Sequence, residues 1–94
     1  MKTLSIQLPV SIFKEGKAFV AYSPALDIST CADTLIAARK QFNELVQIFF
    51  EELDRNNTKD EVLFSLGWEK RGHEWLPPHE VEHGIQSFEV PTKV

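Results

Sequence analysis

The string His79-Glu80-Val81-Glu82-His83 is where residue types and spacing in this chain come nearest to a known chemistry. On a helix, two histidines four apart lie one turn above each other and can hold zinc, with the intervening glutamate as general base. The setting works against that chemistry. Pro77-Pro78 precede the string and Gly84 ends it, so a helix there would be about one turn long and unstable alone. Glu82 puts a charge where such a helix is usually buried. No Cys or His follows, and Glu89 is the one acid left to complete a ligand set. His79 and His83 are therefore metal candidates only for a small zinc-binding protein, and the string reads as a solvated tail.

Two-metal hydrolysis requires several carboxylates converging on one point. No acid occurs between Thr3 and Phe13, and Asp27, Asp33 and Glu44 fall on a corner, a helix cap and a helix's outer face. Cys31 stands alone, so it forms no intramolecular disulfide and reads as a small buried filler near a strand end. These residues assign no catalytic role and no cofactor. Three aromatic residues carry the interaction chemistry instead. Trp68 and Trp75 suit either hot-spot anchoring or cross-strand packing over a small core. Tyr22, with Gln7, falls on the less covered face of a sheet, where self-association is natural.

The elements that position these side chains follow from periodicity. Leu4, Ile6, Leu8, Val10 and Ile12 alternate with polar residues, the pattern of a half-buried antiparallel strand over 3–12, with Pro9 marking a bulge or an outward-facing position. Lys14-Glu15-Gly16-Lys17 is a turn, Ala18 to Ser23 a returning strand, Pro24 to Asp27 a corner, and Ile28 to Cys31 a third strand. Asp33 or Thr34 caps a long helix from Leu35 to Leu53. Its apolar stripe runs through Leu35, Ala38, Phe42, Leu45, Val46, Phe49, Phe50 and Leu53, with Ile36 and Ile48 off the stripe and available to another surface. Thr58-Lys-Asp-Glu61 reads as a capping box for a short helix over 59–66. Trp68 to Trp75 reads as a hairpin around Arg71-Gly72, and Ile85 to Val90 as one more strand, free to pair with an edge of its own chain or a neighbour's.

The chain has 94 residues, 43% of them hydrophobic, and a formal net charge of −4. That length supports one domain, over 1–78, with 79–94 as its C-terminal strand and tail. A chain so short buries about 60–65% of its unfolded surface, so homo-oligomerisation would help it. The acidic balance disfavours nucleic-acid and membrane-surface binding. With one cysteine, no signal-like apolar core and no membrane-spanning run, the expectation is a soluble cytoplasmic protein.

Phe19-Val-Ala-Tyr-Ser-Pro-Ala-Leu-Asp27, followed by Ala32-Asp-Thr-Leu35 and the long helix, resembles the HicB-type antitoxins over the first half to two-thirds of the chain. The resemblance implies a partial RNase H-like fold without RNase H chemistry: three strands, a helix and a further strand. It also implies a non-enzymatic role, binding and blocking a small, basic, RNA-cleaving HicA-like toxin. Ala32 stands where the family often has Gly, and Ala37 where it has the capping-box Glu. The residues after Pro78 are too few and too strand-like for the helices with which many relatives read operators, so DNA binding by this chain is not expected.

The fold class expected is α+β: a three-stranded antiparallel meander on one long helix, with a short second helix, a small hairpin and a C-terminal strand. The function expected is toxin sequestration by protein–protein contact. A solitary homo-oligomeric module of the same fold is the alternative, and a small zinc-binding protein the third reading.

Overall fold

A computed structural model of the chain describes residues 6–93. Its elements, in chain order, are β1 (Ser11–Glu15), β2 (Ala18–Ser23), β3 (Ile28–Ala32), α1 (Leu35–Arg55), α2 (Lys59–Ser65), β4 (Glu69–Arg71) and β5 (Glu74–Leu76). β1, β2 and β3 form an antiparallel meander in that order, and β4 pairs with β5 in a separate hairpin. The fold is the expected α+β arrangement.

The first hairpin turns in two residues, because Glu15 faces Ala18 in the register. Gly16 takes φ +60°, a conformation that a two-residue hairpin loop requires and that a Cβ would oppose. This tight turn extends the strand to Glu15, where the sequence pattern had placed a four-residue turn. At its other end the strand starts at Ser11. The expected strand over 3–12 is thus corrected: 6–10 carry no ladder, and 3–5 lie outside the described residues. Pro9 has no N–H to donate, which stops the pairing there. Ile6 and Leu8 nevertheless pack against the core from an irregular segment, so the alternation marked burial correctly but not pairing. Gln7 is exposed and outside the sheet.

Thr34 rather than Asp33 caps α1, its Oγ1 accepting a hydrogen bond from the Ala37 N–H at 3.0 Å. Ala38, Phe42 and Leu53 of the stripe are buried, while Ile36 and Ile48 stay exposed, as their off-stripe positions require. Thr30 Oγ1 donates to Gln41 Oε1 at 3.3 Å, which tethers β3 to the helix above it. At ~1.5 Å per residue α1 is about 30 Å long, whereas the strands reach roughly 17–20 Å. The helix therefore overhangs the sheet, and the core gathers under the overhang. Ala25, Leu26, Leu53, Leu63, Trp68 and Trp75 form that cluster.

Trp68 locks it. Its indole N–H donates to the Ala25 carbonyl at 2.8 Å, a buried bond joining the hairpin region to the Pro24–Asp27 corner. Phe50 meets the Trp68 ring edge-on at 6.2 Å, and Phe64 meets Trp75 at 5.0 Å. Two further expectations are corrected. Thr58 precedes α2 but makes no side-chain cap; its φ/ψ of −113°/9° is far from the extended conformation that aims a hydroxyl at the helix N–H groups. Ile85 to Val90 forms no strand, and no helix or strand occurs among the described residues after Leu76. A strand exists only with a neighbour, and beyond Glu80 to His83, which lie beside Pro9 to Ser11, this segment is exposed on every side.

Candidate functional site

The register sorts the meander into two faces. Ile12, Ala21 and Thr30 lie abreast, as do Lys14, Phe19 and Ala32; these rows face α1, since Thr30 reaches Gln41 on the helix. The alternate rows face away from it. They are Phe13–Val20–Cys31 and Ser11–Tyr22–Ser29. Phe13 is 53% exposed on the edge strand of that open face, Val20 and Tyr22 on the central strand are half-buried, and Ser29 is exposed. An antiparallel sheet with one uncovered face carrying a Phe, a Val and a Tyr is the candidate interaction surface of this fold.

Tyr22 sits on this open face as the alternation anticipated. Its hydroxyl donates to Asp27 Oδ1 at 3.2 Å. Desolvation, then this hydrogen bond, then the Asp27 charge hold its phenol above the ordinary value of 10.0. Asp27 itself takes φ +54°, and its N–H donates to the Ser23 carbonyl at 2.9 Å, so the corner is tied on two sides. Cys31 is exposed on the same face, which corrects its reading as a buried filler. Neighbouring strand residues alternate faces, and Cys31 has the parity that points away from the helix.

Trp68 and Trp75 are 2% and 8% exposed. Both pack into the core beneath α1, and Lys70 Nζ lies 5.4 Å from the Trp75 ring centroid. The three aromatic candidates are thus divided: Tyr22 on the open face, the two tryptophans inside.

A second feature lies on the helix side of the sheet, where the overhang leaves its other end thinly covered. An apolar groove of about 590 Å³ opens between β1, β2 and the first turns of α1. Ile12, Phe19 and Leu35 line it, with Lys14 and Arg39 as its charged members. The sequence pattern did not disclose this groove, because it arises from the offset between helix and sheet. Phe13 was equally missed, though its parity opposite Ile12 in a strand that extends past the alternating run was the available signal.

His79 and His83 occupy the irregular, exposed segment after Pro78. That segment forms no helix, so the histidines are not set on one helix face as zinc ligation by this motif requires; His83 Nδ1 lies 3.0 Å from Glu80 Oε1. Among the described residues no group of three or more His, Cys, Asp or Glu is placed to hold a metal ion. No helix among them is long and apolar enough to cross a membrane. No protein family, no curated protein and no solved structure matches this chain.

Proposed function

We propose that this protein is a HicB-like antitoxin, acting in the cytoplasm, that binds and neutralises a small, basic, RNA-cleaving HicA-like toxin. The observation that carries the reading is the ordered unit β1–β2–β3–α1 with one sheet face left open around Phe13, Val20 and Tyr22. Such a unit offers a surface for a partner, while the carboxylates and histidines of the chain stand in no convergent group among the described residues. The net charge of −4 supports a basic partner, because complementary charge speeds encounter and suppresses wrong pairings. Sequestration needs no chemistry from this chain, and none is assigned to it.

The test is co-purification. The product of the adjacent gene, if it is a small basic protein, is expressed with this chain bearing a tag, and a one-to-one or fixed-ratio complex is expected. Tyr22→Ala paired with Phe13→Ser should weaken that complex. Two stable proteins that elute apart would overturn the reading. A second reading, a solitary homo-oligomeric module, is favoured by the exposed Ile36 and Ile48 on α1, at 79% and 53%. Without such a neighbouring gene, that reading takes precedence.

A further inference from the structure

The chain beyond Pro78 is exposed throughout, and in an extended conformation Phe88 and Val90 share one face with Ile85 on the other. Val81, Ile85, Phe88 and Val90 are 90%, 101%, 77% and 73% exposed. The radius of gyration is 16.5 Å and the longest dimension 58 Å against 29 and 20 Å for the others. A compact chain of this length would measure about 12 Å, so the tail projects from the body. A projecting segment of this composition is the shape of a strand that has left its sheet.

The body carries a seat of matching form. β1 and β3 are both edges of the meander among the described residues, and β1 borders the groove of Ile12, Phe19 and Leu35. From Gly84 to Lys93 are ten residues, about 33 Å when extended, enough to follow β1 from end to end. Within 84–93 the charges of Glu89 and Lys93 balance, so the match is one of shape and polarity: the apolar pair Phe88 and Val90 meets a groove lined by Ile12, Phe19 and Leu35.

We infer that the tail of a second copy of this chain, residues 84–93, adds as a strand to the free edge of β1 and sets Phe88 and Val90 into the groove, the two copies exchanging tails reciprocally. Exchange of one element between identical chains closes as a two-fold dimer and leaves no unpaired apolar tail. The added strand also covers an edge that would otherwise template aggregation. The tail's own body is not the occupant, because Glu80 to His83 run beside Pro9 to Ser11 and the chain beyond them then leaves the surface fully exposed. This inference rests on the tail and the β1 edge, not on toxin binding, so its failure leaves the sequestration reading untouched.

The full chain is examined by sedimentation equilibrium and by hydrogen exchange across a dilution series. A dimer is expected, with amides of 85–90 and of β1 protected in the dimer and losing protection together on dilution. Phe88→Asp with Val90→Asp, exposed in the monomer and therefore harmless to its fold, should raise the dimer dissociation constant at least about a hundredfold. Ile48→Ser, exposed on α1 and outside the lining of the groove, should leave it within a few-fold. A monomer at high concentration overturns the inference, as does a dimer indifferent to the two aspartates. Protection of 85–90 that persists unchanged on dilution assigns the tail to its own body and also overturns it. A dimer abolished by Ile48→Ser alone moves the interface to α1, with the same consequence.

Discussion

Replacing Trp68 by Phe tests whether the hydrogen bond from its indole to the Ala25 carbonyl, 2.8 Å long and buried, is what joins the corner to the hairpin. Phe keeps an aromatic ring against Phe50 but has no donor. Ala25 is 2% exposed, so its carbonyl would be left without this partner and poorly reached by water. An unsatisfied buried acceptor costs about 1–3 kcal/mol, and the smaller ring forfeits roughly 1 kcal/mol of packing. Trp68→Phe should therefore destabilise by about 3 kcal/mol, a large share of the ~5–14 kcal/mol expected of a chain this size. With a urea slope of about 1.5 kcal/mol/M, the midpoint should fall by roughly 2 M at unchanged slope. Trp75→Phe is the control. Its contacts are the Phe64 edge and the Lys70 ammonium, so it should cost about 1–2 kcal/mol. The remaining tryptophan reports unfolding by fluorescence in each variant. Equal midpoint shifts for the two substitutions would refute the assignment of the corner's fixation to this bond.

Three further outcomes follow from the same structure. Tyr22, the single tyrosine, should release its proton above the ordinary 10.0, owing to desolvation, its bond to Asp27 and the Asp27 charge. Above that ordinary value the folded state holds a proton the unfolded state has shed, so stability is intact below it and declines as pH rises through the folded value. Phenolate absorbance checks this, and Asp27→Asn should lower the midpoint; a midpoint indifferent to that change would contradict the pairing. Thr34→Ala removes the 3.0 Å cap on the Ala37 N–H and should cost about 1 kcal/mol, read by thermal unfolding, whereas Thr58→Ala, whose side chain makes no cap bond, should cost less. Ser23 is fully buried, and its Oγ has no hydrogen-bond partner among the described residues. Ser23→Ala should therefore leave the urea midpoint level or raise it, and a loss above about 1 kcal/mol would reveal an unseen partner.

How far the fold was legible depended on whether its causes are local. The apolar stripe from Ala38 to Leu53 specified α1 and its buried face, because helical hydrogen bonds close within a few residues. Thr34 was legible as a cap for the same reason. β1 was not legible in register: alternation continues on both sides of Pro9, and the two-residue turn at Gly16-Lys17 decides which residues pair. Thr58 had the right neighbours for a capping box but a backbone conformation that sequence does not report. Ile85 to Val90 had the apolar content of a strand but pairs with neither edge of the meander in its own chain. The open face followed from parity once the register was known, which is how Phe13 joined Tyr22. The groove beside Lys14 and Arg39 depends on the length of α1 against the sheet, a tertiary quantity.

The functional reading stands or falls on one assay. RNA cleavage by the small basic protein encoded beside this chain is followed while this chain is titrated into it. Cleavage should fall to background at a fixed molar ratio, and Tyr22→Ala with Phe13→Ser should shift the endpoint to excess. Undiminished cleavage in the presence of saturating, folded chain would contradict that reading.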